Sequence, residues 1–305
     1  MAESLQSDEF TPKSRVIEYL FDQRFDPALG DFSDPMITSD ALKDAIVECN
    51  KQAAKKLSTN NPANFLKDFL RSPRRNELWP QKLKDARVSA RQKYRKKRVF
   101  AFVPYEEEQS EPFPDRFVLD ESATEHRVES VSLPFAARAL GRKDEAWLIQ
   151  VCVHQRIIQT QFALHSALSS EVVDFFHLQN SVKMTPEIDA IFLLTLRRGK
   201  QLLKALVTLE AKRNEPILID QIRAQVAIMA KQCKSNRSLS DISFILPVAA
   251  RSEVRQGHRI VGVFEMAPIP VDAGANAHDN DEEHLIPLEI LDGVPYRLIP
   301  EVSGI

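Results

Sequence analysis

"LVTLEAKRNEPILIDQI", residues 206–222, is the stretch on which the fold turns. Side chains alternate across a strand, so Val207, Leu209 and Ala211 point to one face while Thr208, Glu210 and Lys212 point to the other. The residues after Asn214 carry Pro216 and then "ILIDQIRAQVAIMAKQC", which reads as a helix with the proline near its first turn. Upstream, "EIDAIFLLTL" (187–196) is a second apolar run, separated from "ALVTLEAK" (205–212) by the charged turn "RRGKQ". That pattern predicts a hairpin joining adjacent strands. Glu187 and Asp189 share a face near the start of the first strand, so the hairpin would bring three carboxylates and one lysine together.

Hard oxygen ligands of this kind suit Mg²⁺, with positions left for water and phosphate. "PEIDAIF" followed by "LVTLEAK" resembles the signature of the PD-(D/E)XK nucleases, the superfamily of many type II restriction endonucleases and some repair nucleases. In that signature an Asp opens one strand, and a carboxylate, any residue and a Lys sit on the next. Residue by residue, Asp189 matches the first acid, Glu210 the second and Lys212 the lysine. Pro186 is separated from Asp189 by two residues instead of adjacent to it, which makes Glu187 a further candidate ligand. The resemblance covers residues 140–265. Lys212 is the one lysine in the sequence with an acid two positions before it. The resemblance implies a restriction-endonuclease-like core and a Mg²⁺-dependent endonuclease hydrolysing DNA phosphodiester bonds. Asp189 and Glu210 would hold the metal, and Lys212 would position or activate the attacking water. A type II restriction endonuclease acting as a homodimer is the leading expectation, since a symmetric site calls for two centres related by a twofold axis. The alternatives are a repair or defence nuclease reading DNA structure, and a non-catalytic DNA-binding factor. In the last case Glu210 and Lys212 form a cross-strand pair on a solvated edge strand, worth a few tenths of a kcal/mol.

The wider composition agrees with such a protein. With 43% hydrophobic and 28% charged residues, the 305-residue chain reads as globular, of α/β class, with a helical N-terminal region followed by a mixed β-sheet flanked by helices. No apolar run is long enough to cross a bilayer. The acidic, polar start "MAESLQSDEF" lacks a secretory pattern. Cys49, Cys152 and Cys233 are far apart, as expected of reduced thiols in a cytoplasm. No HxxxH or HxH pair and no Gly-rich phosphate loop is present, which argues against a histidine metal centre, a kinase or an ATP-driven motor.

The net charge of −2 averages two opposed blocks. Residues 82–98, "KLKDARVSARQKYRKKR", carry nine positive charges against Asp85, and residues 106–129 carry nine carboxylates against Arg116 and Arg127. The basic segment predicts contact with double-stranded DNA through Arg91, Lys93, Arg95, Lys96 and Lys97. Arg74 and Arg75, on a loop or helix end near Trp79, are candidates for reading bases. The acidic, proline-bearing stretch 105–135 is the expected linker, giving a mostly helical DNA-recognition region at 1–130 and a nuclease core at 131–305. Within the core, "DEAWLIQVCVHQRIIQTQFAL" (144–164) reads as one long buried helix, "EVVDFFHLQ" (171–179) as helix or strand, "ISFILPVAA" and "RIVGVFEM" as strands, and "APIPVDAGANAHDNDEE" (267–283) as a loop.

Overall fold

The hairpin forms as its sequence demands: Arg198 pairs with Gln201 across Gly199, whose φ of 62° is a conformation glycine adopts without strain. The computed structural model containing it describes residues 11–95 and 97–305. The chain divides into two units, Met1–Asp115 and Arg116–Ile305. The division falls inside the acidic stretch, upstream of the boundary expected at 130. The strand His126–Glu129 lies beyond it and pairs with the sheet of the C-terminal unit, which is why the earlier position is the physical one.

In the C-terminal unit the elements follow the order β1 (His126–Glu129), α1 (Glu145–His154), β2 (Val172–Val182), β3 (Ile188–Arg198), β4 (Gln201–Arg213), α2 (Ile219–Ser235), β5 (Ile242–Arg255), β6 (His258–Met266), α3 (Val271–Asn280) and β7 (Ile290–Ile299). The sheet runs β1-β7-β6-β5-β4-β3-β2. β2, β3 and β4 form an antiparallel meander; α2 then crosses over and returns the chain as β5, parallel to β4. β4 is therefore an interior strand, paired with β3 as far as Leu209 and with β5 to its end, and the burial of Glu210 and Lys212 rules out the solvated-edge reading.

Alternation along β4 divides two cores. Val207, Leu209 and Ala211 pack with Leu148, Val151 and Cys152 of α1 on one face. Leu206 lies with Ile222, Val226 and Met229 of α2 on the other. Ile222, Val226, Met229 and Cys233 recur at helical spacing along α2 and are all buried, each contributing about 1.5–3 kcal/mol. Gly274 of α3 permits a close helix crossing, since a Cβ there would lie 2.7 Å from that of Ala230.

Two expectations are corrected here. Residues 144–164 are not one helix: Arg156 takes a positive φ of 51°, ending α1 at His154 before two short helical turns, Ile157–Thr160 and Gln161–His165. The stretch 267–283 holds α3, whose Val271 and Ala275 pack into the core and outweigh its turn-like composition. Pro216 precedes α2 by three residues, near its first turn as expected. The undecided run 171–179 is strand β2.

The N-terminal unit is less helical than expected. Helices Pro12–Asp22 and Ser39–Asn50 are capped by Thr11 and Thr38, and they accompany a three-stranded antiparallel sheet in the order Met36–Thr38, Arg98–Pro104, Val88–Gln92. Its core is aromatic: Phe21, Phe100 and Phe102 are buried, and Trp79 stacks edge-on against Phe69 and Phe113.

Candidate active site

The carboxyl end of β4 carries a buried polar cluster. Glu210 is 1% exposed and Lys212 3% exposed. Lys212 Nζ lies 2.8 Å from Glu210 Oε1 and 3.1 Å from Glu145 Oε1, and it donates to the Ala211 carbonyl at 3.1 Å. Glu145 opens α1, held there by Asp144, whose side chain caps the helix by accepting from the Trp147 amide at 2.9 Å. Asp189 Oδ2 accepts from the Ala211 amide at 2.7 Å. The last registered pair between β3 and β4 is Ala190 with Leu209, so this carboxylate satisfies a strand amide beyond the end of the ladder.

Two glutamines complete the cluster. Gln221 and Gln225 stand one helical turn apart on α2 and donate to Glu210 Oε1 at 2.7 Å and Oε2 at 2.6 Å. Gln225 Nε2 also donates to the Glu187 carbonyl at 2.7 Å, tying α2 to the start of β3. Each oxygen of Glu210 thus meets a donor, which makes burial of this carboxylate tolerable.

Charge in the cluster is unbalanced, with three carboxylates facing one ammonium. Burial, and then the charge of Glu210, push the Asp189 carboxyl up to about 7, against the lowering pull of Lys212 and the Ala211 amide. For Lys212, burial would lower the pKa, but Glu210, Glu145 and Asp189 together outweigh it and raise the value, so the ammonium keeps its proton. A divalent cation would relieve the excess negative charge. Gln221 Oε1 is buried with no hydrogen-bond partner, a further polar group that such an occupant or its waters would satisfy. The residues present therefore fit a hard cation. Among the described residues, no three acid, histidine or cysteine side chains stand preassembled as a metal cage.

The fold brings Asp189, Glu210 and Lys212 together and leaves the Glu187 side chain outside. Glu187 precedes β3 and reaches Lys183 at 2.6 Å, while its place as third carboxylate is taken by Glu145. Glu145 carried no signal in the sequence, because it comes from a helix 65 residues before Glu210. Gln221 and Gln225 were legible as two amides a turn apart on an otherwise apolar helix face, a pattern the spacing of the acids overshadowed.

The candidate DNA contacts lie in the N-terminal unit. Arg74 is exposed and pairs with Glu77 at 2.7 Å. Arg75 turns inward, 8% exposed, and donates to the Phe113 carbonyl at 3.1 Å. Trp79 is buried and donates to the Val88 carbonyl at 2.8 Å, serving the core rather than a binding face. The basic segment is no continuous helix: Arg91 lies on the strand Val88–Gln92, and Lys93, Arg95 and Lys97 occupy the connection to the next strand. Arg91, Lys93 and Arg95 are half-buried and Lys97 is exposed, with a φ of 58°. Lys96 lies outside the described residues.

Comparison with protein-family models, curated proteins and solved structures finds no match for this chain.

Proposed function

We propose that this chain is a Mg²⁺-dependent endonuclease that hydrolyses DNA phosphodiester bonds through Asp189, Glu210 and Lys212. The observation that carries the reading is the excess of carboxylate, one buried and two half-buried, around one buried lysine at the end of an interior strand. The Lys212–Glu210 ion pair does not itself require Asp189, which accepts from the Ala211 amide and whose ionisation the cluster opposes. The meander, crossover helix and parallel strand around it accord with the restriction-endonuclease-like core that the sequence suggested.

Asp189 and Glu210 would hold Mg²⁺, which when bound supplies Lewis acidity toward a phosphoryl oxygen and a water of lowered pKa. The chain's own groups do the rest. Lys212 stays protonated, so it acts by orienting water and offsetting negative charge on the phosphoryl oxygens as the transition state forms, and does not serve as a base. Gln221 and Gln225 fix the Glu210 carboxylate in one rotamer, and Glu145 fixes the Lys212 ammonium from the other side. The basic residues Arg91, Lys93, Arg95, Lys96 and Lys97 would add sequence-independent affinity for the duplex, and Arg74 would contribute from an exposed helix start. A type II restriction enzyme working as a cytoplasmic homodimer is the form of this function we favour.

Incubation of supercoiled plasmid with the purified protein and Mg²⁺, beside an Asp189→Asn control, tests the reading. Discrete fragments indicate a restriction enzyme and a smear a less selective repair or defence nuclease. DNA left intact by wild type would sink the assignment in favour of a binding factor.

A further inference from the structure

Cations of the C-terminal unit commonly meet a carboxylate: Lys204 meets Asp241 at 2.5 Å, Lys231 meets Asp279 at 2.7 Å and Arg223 meets Asp220 at 3.5 Å. Arg213 and Arg259 differ. Both are half-buried, yet Arg213 Nε donates to the Gly304 carbonyl at 2.9 Å, and Arg259 Nη1 donates to Asn214 Oδ1 at 3.2 Å and Ser252 Oγ at 3.1 Å. Among the described residues neither forms an ion pair with a carboxylate. Neutral acceptors hold both guanidiniums in place and leave their charge uncompensated.

The register puts the two together. Arg213 closes β4 directly after Lys212 and lies opposite Ser252 of β5, which in turn lies opposite Val261 of β6. Arg259, two residues before Val261 and so on the same face, reaches back over Ser252 to Asn214, the residue after Arg213. Asn214 takes a positive φ of 57°, a conformation asparagine tolerates better than most residues, and this turns its side chain toward Arg259. Two fixed guanidiniums thus stand at the strand end that carries Lys212, on the face shared by Ala211 and Val261 and opposite to that of Glu210 and Lys212.

An uncompensated, half-buried guanidinium favours an anion, and its planar fork of N–H donors matches phosphate oxygens. We propose that Arg213 and Arg259 form a clamp for a non-reacting phosphate of the nucleic-acid backbone, at the same strand end as the Asp189, Glu210 and Lys212 centre but on the opposite face of the sheet. The clamp rests on the nuclease reading for the identity of its ligand. It assigns substrate-holding charge to the C-terminal unit itself, apart from the basic hairpin of residues 88–104.

The test is fluorescence anisotropy of a short labelled duplex in EDTA, titrated at several salt concentrations with wild type, Arg213→Gln, Arg259→Gln, the double variant and Arg259→Lys. Each glutamine should weaken binding several-fold and reduce the slope of log K against log salt by roughly 0.9, the double variant by about twice that, while Arg259→Lys keeps most of the slope. A wild type that does not bind the duplex overturns the clamp. So does a double variant with wild-type melting whose affinity and slope are unchanged. Should Arg259→Gln fail to fold, Arg213→Gln alone decides, because it loses one hydrogen bond to the Gly304 carbonyl. Cleavage is not read here, so the two proposals fail separately. A chain that binds through both arginines and never cuts removes the nuclease reading alone. A chain that cuts with its salt slope intact in the double variant removes the clamp alone.

Discussion

Replacing Asp189 by Asn should stabilise the metal-free protein while abolishing its activity. The carboxyl is raised from 3.8 to about 7, first by burial and then by the neighbouring Glu210. At roughly 1.4 kcal/mol per pK unit, a shift of that size sets an upper bound of about 4 kcal/mol. Solvent reaching a partly exposed group, and the sharing of charge with Glu210, bring the expected gain to about 2 kcal/mol. The sign follows from proton counting. Between 3.8 and about 7 the folded chain holds a proton that the unfolded chain has released, so wild-type stability falls as pH rises through this window and levels off above it. Asparagine cannot titrate, and its Oδ1 can still accept from the Ala211 amide. The variant should therefore melt about 4–8 °C above wild type near pH 8 in EDTA, and the two should converge near pH 4. Thermal melts followed by circular dichroism at both pH values measure this directly. A variant that melts with or below wild type near pH 8 would refute the electrostatic account of the site, and with it the reason for expecting a cation there.

The same linkage makes Mg²⁺ affinity pH-dependent: because Asp189 must lose its proton, apparent affinity in calorimetric titration should rise as pH increases through about 7, and a flat profile would count against Asp189 as a ligand. Lys212→Ala should abolish cleavage and also destabilise the protein by about 3–5 kcal/mol, because it leaves Glu210 buried without its ammonium. The double change Glu210→Gln with Lys212→Met should destabilise by less than the sum of the two single changes, and simple additivity in a denaturant series would contradict the coupling. Gln225→Ala should cost about 1–2 kcal/mol and lower kcat more than KM by freeing the Glu210 rotamer, whereas a change in KM alone would place Gln225 outside the catalytic geometry. In the N-terminal unit, Arg75→Ala should destabilise by about 1–3 kcal/mol, while Arg74→Ala should leave the melt within about 0.5 kcal/mol of wild type; equal effects would reject the inward placement of Arg75.

What the sequence determined by itself was local. Period-two alternation in 206–213, the glycine turn at 197–201 and the helical spacing of Ile222, Val226, Met229 and Cys233 each follow from backbone geometry acting over a few residues, and all appear as read. Asp189, Glu210 and Lys212 were legible because a hairpin converts a sequence pattern into a spatial one. Tertiary structure decided the rest. Residues 267–283 look like a loop until Val271 and Ala275 find a core to enter, and the helix they form gains its stability from packing rather than propensity. Arg75 and Trp79 look like a binding surface because charge and aromaticity mark binding faces and cores alike, and burial alone separates them. Glu145 reaches Lys212 through a packing of α1 on the sheet that no spacing rule encodes. Arg213 and Arg259 became notable through what they do not meet, since a missing counter-charge is visible only once every neighbour has its position.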